Sequence, residues 1–232
     1  MNVVITGASK GIGKALAEAF AGEGAALFLC ARNQERLNDT AAELQKRFPA
    51  TKIKVKAVDL SVKEEVKQFA TWCLESGVPG ILINNAGEFL PGGICDEAED
   101  NLEKMMAANL YSAYHLTRAL LPKMIAAKTG HIFNMCSIAS LHAYKNGGGY
   151  SISKFAMMGF SKNLREELKQ HHIKVTAVYP GAVMTDSWAG FDNSGNRIME
   201  VTDIATMILA ASKLTAQANV EDIILRPLLG DL

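Results

Sequence analysis

Asn2-Val-Val-Ile-Thr6-Gly-Ala-Ser-Lys10-Gly-Ile-Gly13 is the stretch whose reading decides the fold. An apolar, β-branched run passes through three glycines into a helical pattern. Gly7, Gly11 and Gly13 permit a tight turn and let the backbone approach a pyrophosphate at a helix N-terminus. The spacing is G-x-x-x-G-x-G and departs from the general dinucleotide fingerprint G-x-G-x-x-G. A glycine-rich turn can also serve strand–helix packing alone. Set between a first strand and a first helix, it favours a bound cofactor.

The same unit repeats to the end of the chain. Short apolar runs at Val3–Thr6, Ala26–Ala31, Ile53–Val58, Gly80–Asn84, His131–Ser137, Lys174–Tyr179 and Asp222–Leu225 read as strands. Helical patterns lie between them near 11–23, 33–48, 61–76, 97–127, 150–170 and 201–214. This alternation predicts a parallel sheet with helices on both faces. Unbroken apolarity in Ile81-Leu-Ile83 suits a strand buried on both sides. With 232 residues and no linker, charge run or low-complexity tract, one domain spanning 1–232 is expected.

Twenty-four basic and 24 acidic residues cancel, so there is no electrostatic case for nucleic acid or an anionic membrane. No apolar run approaches the roughly 20 residues of a membrane helix. A strand at residue 2 leaves no room for a signal peptide, and a cytoplasmic location is expected. Cys30, Cys73, Cys95 and Cys136 lack CxxC or zinc-ligand spacing and read as reduced, partly buried thiols. No histidine pairs with a carboxylate at ligand spacing, so neither a metal nor a catalytic histidine is expected.

At the end of the second strand, where an acid would hold the ribose hydroxyls of NAD, the chain has Cys30-Ala31-Arg32. Arg32 can stack on adenine and pair with a 2′-phosphate, and Lys10 adds a second cation on that side. Both are also ordinary surface cations, but at these two places they favour NADP(H). Asp59 ends the third strand, either at a ligand or as a cap for the helix after Ser61. Asn84-Asn-Ala-Gly87 ends the fourth, again either at a ligand or satisfying loop backbone. Asn109 lies inside the 97–127 helix among Met105, Met106, Ala108 and Leu110, a setting that favours a buried amide in need of partners.

Ser137-Ile-Ala-Ser-Leu-His-Ala-Tyr-Lys-Asn-Gly-Gly-Gly-Tyr150-Ser-Ile-Ser-Lys154 carries the candidate chemistry. Gly147, Gly148 and Gly149 are expected to break any earlier helix and turn the chain into a new one. Tyr150 and Lys154 then share one helix face. An ammonium one turn from a phenol is expected to lower its pKa from about 10 towards neutrality. Ser137, at a strand end, can bind an oxygen that gains charge. Alone, Tyr-x-x-x-Lys is also simply the start of an amphipathic helix.

In this order the pieces resemble the short-chain dehydrogenase/reductase family over nearly the whole chain. The matches are Thr6-Gly-x-x-x-Gly-Ile-Gly13, Asp59, Asn84-Asn-Ala-Gly87, Asn109, Ser137, Tyr150-x-x-x-Lys154 and Pro180-Gly181, with Ser137 13 positions before Tyr150. The resemblance implies an α/β, Rossmann-like, doubly wound sheet of seven parallel strands in three αβα layers. It implies a tetrad: Tyr150 as acid–base, Ser137 on the substrate oxygen, Lys154 on the nicotinamide ribose, and Asn109 anchoring a water through its helix backbone.

It places NADP(H) against the first turn (Gly7, Ser9, Lys10, Gly11, Ile12, Gly13), Arg32, Asp59, Leu60, and Asn85-Ala86-Gly87. Tyr150, Lys154, Pro180, Gly181, Val183 and Thr185 complete that set. It also implies a homodimer or homotetramer pairing the helices near 97–127 and 150–170.

Substrate choice is expected in a small lid around 186–200, where Trp188 and Phe191 either cover an apolar ligand or anchor a surface loop. Tyr144 is a candidate substrate contact beside Ser137 and Trp188, and Leu90, Cys95, Leu141 and His142 are expected in the pocket wall. A small-molecule carbonyl reductase is the leading expectation. A 3-oxoacyl-carrier-protein reductase has only Lys128 and His171 as docking cations and lacks the glycine-rich ending. A sepiapterin-type pteridine reductase is similar through Pro180-Gly-Ala-Val183, Trp188 and Ile223-Ile-Leu-Arg-Pro227. A cofactor-sensing regulator has no need of an intact tetrad.

Overall fold

The computed structural model describes residues 1–188 and 190–231, so Ala189 of the expected lid and Leu232 of the closing stretch lie outside the described residues. Seven parallel strands form one sheet in the order β3-β2-β1-β4-β5-β6-β7. They are β1 Asn2–Thr6, β2 Ala26–Ala31, β3 Ile53–Ala57, β4 Ile81–Asn84, β5 His131–Met135, β6 Lys174–Pro180 and β7 Asp222–Leu225. β1 pairs with β2 on one side and β4 on the other, so the winding reverses there. Parallel α/β sheets bind ligands outside the strands' carboxyl ends at such a reversal.

Period two along each strand divides the core between the two faces. Val3, Ile5, Leu27 and Leu29 pack with Leu16 and Phe20 of α1 (Gly11–Gly22), Leu37 and Leu44 of α2 (Gln34–Arg47) and Ile204 and Ile208 of α7 (Val201–Ser212). On the other face, Val4, Phe28, Leu82 and Ile132 meet Phe69 of α3 (Lys63–Leu74) and Leu116 and Leu120 of α5 (Ser112–Ala127). Leu164 and Leu168 of α6 (Gly148–Leu168) close that layer. The three αβα layers agree with the sequence expectation.

Three boundaries differ. β5 stops at Met135, and Ser137 instead caps a 3₁₀ turn, Ile138–Ser140, by accepting from the Ala139 N–H. Gly148 and Gly149 do not precede α6 but form its first turn. A Cβ on Gly148 would stand 2.6 Å from the Gly92 carbonyl oxygen, and one on Gly149 3.1 Å from Leu102 Cα. Their bareness lets α4 (Asn101–Met106) and the loop before it press against the helix start. The expected 97–127 helix is broken into α4, a π-helical turn at Ala107–Tyr111, and α5.

His131 is buried on β5, stacked on Phe133 at 3.9 Å, with Nε2 2.7 Å from Thr176 Oγ1. Thr176 donates its hydroxyl to the Val220 carbonyl, so its oxygen accepts from Nε2–H and leaves Nδ1 bare. Burial pushes His131 down to about 3. The unfolded chain takes up that proton below about 6.5, so folding stability falls with pH from there towards 3. Urea midpoints between pH 7 and 4 should show the loss, up to about 1.4 kcal/mol per pH unit from this group. The slope should flatten in His131→Phe.

Candidate active site

The carboxyl ends of β1 to β6 converge on one cleft edge. β1 delivers the glycine turn: Gly7 has φ +66° and Gly11 φ +54°, conformations that disfavour side chains. Gly13 has no room for one, since its Cβ would lie 2.2 Å from the Gly7 carbonyl oxygen. Asn85, after β4, donates Nδ2–H to the Thr6 carbonyl at 2.8 Å, and Thr6 Oγ1 accepts from the Asn85 and Ala86 N–H groups at 2.9 Å. Asn85-Ala86-Gly87 therefore buttresses the turn. Ser9 holds it to α2 by accepting from Thr40 at its carbonyl, and Ile12 is the second residue of α1.

This cradle fits a dinucleotide pyrophosphate. α1 has neither a side-chain cap nor an acidic residue in its first turn, so its amino end keeps its positive character. Thr185 lies over it, with Cγ2 3.5 Å from where a Gly11 Cβ would be. Leu60 is buried beside Asp59, whose Oδ1 accepts from the Ser61 N–H and hydroxyl in a turn ahead of α3. Those bonds hold the Asp59 carboxyl below its usual range.

The two cations expected at the 2′-phosphate are both exposed, but neither stands alone. Lys10 pairs with Asp186, and Arg32 lies 3.6 Å from Glu88. A carboxylate absent from the end of β2 thus arrives from the loop after β4.

Lys154 is buried on α6 and donates Nζ–H to the Met135 carbonyl at 2.8 Å. Its Nζ is 5.8 Å from the Tyr150 ring centroid. Burial lowers Lys154 to about 8. It also raises the Tyr150 phenol above its ordinary value, while the Ser137 hydroxyl beside it pulls the other way. The expected lowering by Lys154 is therefore corrected: desolvation of the phenol sets the direction, and the hydrogen bond from Ser137 is what opposes it.

Ser137 Oγ accepts from the Ala139 N–H, and its own hydroxyl hydrogen faces the Tyr150 phenol.

Asn109 is buried in the π-helical turn with both ends of its amide used. Oδ1 accepts from the Glu88 N–H at 2.7 Å, and Nδ2 donates to the Glu88 carbonyl and to Ser153 Oγ. Ser153 in turn donates to the Tyr150 carbonyl at 2.7 Å. A Cβ on Gly87 would lie 3.0 Å from Asn109 Oδ1 and 3.5 Å from Lys154 Nζ.

The structure adds residues that sequence reading missed. Phe89 meets the Tyr150 ring edge-on at 4.9 Å. Glu97 Oε2 accepts from the Gly149 N–H and so caps α6, whose own cap position is a glycine. Glu88 and Ser153 are the others. None carries a periodic or motif signal, because each acts through a contact distant in sequence.

β6 ends at Pro180, and Gly181 N–H donates to the Leu225 carbonyl. Val183 bridges to Met199, which closes the intervening segment at its base. Within it Trp188 and Phe191 form an edge-on pair at 5.3 Å. Tyr144 is exposed in the loop before α6, and burial of its hydroxyl, with Tyr150 nearby, raises it to about 12.

Residues 1–194 match the family described as short chain dehydrogenase. An oxidoreductase of Staphylococcus aureus strain MW2 is 33% identical over 225 residues, covering 97% of this chain and 96% of the relative. A metagenomic short-chain oxidoreductase crystallised with NADP aligns at TM-score 0.86 and 32% identity, over 98% of this chain and 96% of that one. Alcohol dehydrogenase from Thermococcus sibiricus, complexed with 5-hydroxy-NADP, gives 0.90 at 28% identity over the same shares. By sequence and by fold, the chain belongs to the short-chain dehydrogenase family.

Proposed function

We propose that this short-chain oxidoreductase is an NADPH-dependent carbonyl reductase acting on a mostly apolar ketone or aldehyde. The observation that carries the reading is the convergence of Tyr150, Ser137 and Lys154 at the strand ends that also hold the uncapped start of α1. Gly7–Gly13, Arg32, Asn85–Gly87 and Pro180–Thr185 would hold NADPH, which would supply the hydride. The chain's part is position and proton.

Ser137 turns its hydroxyl hydrogen from the phenol to the substrate oxygen. Tyr150 gives its proton to the same oxygen. A phenol kept above its ordinary pKa by burial enters the reaction protonated at neutral pH, which suits reduction. Lys154 holds its ammonium close behind the phenol and supplies positive charge as the proton leaves. Asn109 keeps the Glu88 backbone and α6 in register, and the π-helical turn around it is the place for the water of a proton relay. The metagenomic and archaeal relatives bound to NADP or its hydroxylated form support the cofactor.

Phe89 beside Tyr150, together with Tyr144 and the Trp188–Phe191 pair, supports an apolar wall and a lid over it. Ile152 and Phe155 of α6 are 45% and 40% exposed, and Tyr111, just before α5, and Tyr114, in its first turn, also show exposed rings. These faces support a homodimer or homotetramer.

Tyr150→Phe should lower ketone reduction by about 10²- to 10⁴-fold while NADPH fluorescence titrations change little. Turnover like that of the wild type would overturn the assignment. Phe155→Glu should shift the sedimentation coefficient to a smaller species, whereas an unchanged value would remove α6 from the subunit interface.

A further inference from the structure

Each cation assigned to the 2′-phosphate faces a carboxylate of this same chain. Arg32 Nη2 stands 3.6 Å from Glu88 Oε1, with the two side chains 68% and 31% exposed. Lys10 of the glycine turn pairs with Asp186 on the 3₁₀ turn Asp186–Trp188. Asp59 also lies within electrostatic reach of Arg32, but its Oδ1 is taken up by Ser61. Glu88 is anchored at its backbone. Its backbone N–H and carbonyl are both clamped by the buried Asn109 amide, at 2.7 and 3.0 Å.

We infer that Glu88, aided by Asp186, is a specificity-determining residue for the cofactor: it competes with the 2′-phosphate for Arg32 and narrows the preference for NADPH over NADH. The inference rests on the NADPH reading above. A phosphate with a charge near −2 must take the guanidinium from Glu88 or share it, with a carboxylate held alongside. Like charge against a ligand is a device for selecting between partners.

NADH places only hydroxyls at that position, and a carboxylate accepts hydrogen bonds from hydroxyls. The sequence lacks the acid at the end of β2 that holds a ribose. The fold supplies one from the loop after β4, next to the cation that favours the phosphate. Asp186 acts in the same sense on Lys10, through a direct but exposed ion pair.

The test is calorimetric titration of NADPH and of NADH into the wild type, Glu88→Gln, Asp186→Asn and Arg32→Ala, each at low and high salt. Glu88→Gln keeps the side-chain shape and the backbone bonds to Asn109. It should tighten NADPH roughly two- to five-fold without tightening NADH. Asp186→Asn should act in the same direction, and both gains should shrink at high salt.

An unchanged or lowered NADPH-to-NADH affinity ratio in Glu88→Gln overturns the inference. If Arg32→Ala still weakens NADPH selectively in that case, the cofactor reading stands and only the role of Glu88 falls. If Arg32→Ala leaves the ratio untouched, the placement of the phosphate at Arg32 is wrong, and the inference falls with it.

Discussion

A buried ammonium is costly unless something receives it, and here the receiver is one carbonyl at the end of a central strand. Lys154 reaches back from α6 to Met135 of β5. That contact seats the helix against the sheet at the height of Ser137, two residues on. One turn earlier on the same helix is Tyr150, so its phenol is placed by the same contact. Gly87 is part of this constraint, because a side chain there would press on both Lys154 and Asn109.

The rest of the site is built to keep α6 in that place. Glu97 caps its first turn, and Gly148 and Gly149 let α4 and its loop close on it. Asn109 links the loop after β4 to Ser153 on α6, and Ser153 bonds to the Tyr150 carbonyl. Asn109 makes these bonds from within the π-helical turn, a form that occurs mostly as single turns inside α-helices, frequently at functional sites. Sheet, loop and helix thus meet through short polar contacts beside an apolar interior, while the glycine turn is held to the same loop by Asn85 and Thr6.

The architecture was legible because its signals are local. Alternating apolar runs and amphipathic stretches placed all seven strands, and the glycine turn, Asn109 and Tyr150-x-x-x-Lys154 mark the cleft by motif. What sequence could not show depends on burial or on distant contacts. The pKa of Tyr150 moves up because the phenol is desolvated, an effect invisible in a four-residue spacing. Glu88 carries no motif signal, and only the sheet order β2-β1-β4 brings its loop to Arg32. Ser137 ended a run that looked like strand through to its last residue, because apolarity continues past the point where backbone pairing stops.

The most direct measurement is the position of the substrate oxygen in a crystal of the protein with NADP⁺ and a ketone. The account predicts that oxygen within about 3 Å of both the Tyr150 and Ser137 hydroxyls, with Lys154 still buried behind them. A carbonyl seated elsewhere in the cleft, or a Tyr150 hydroxyl turned to bulk water, would contradict it.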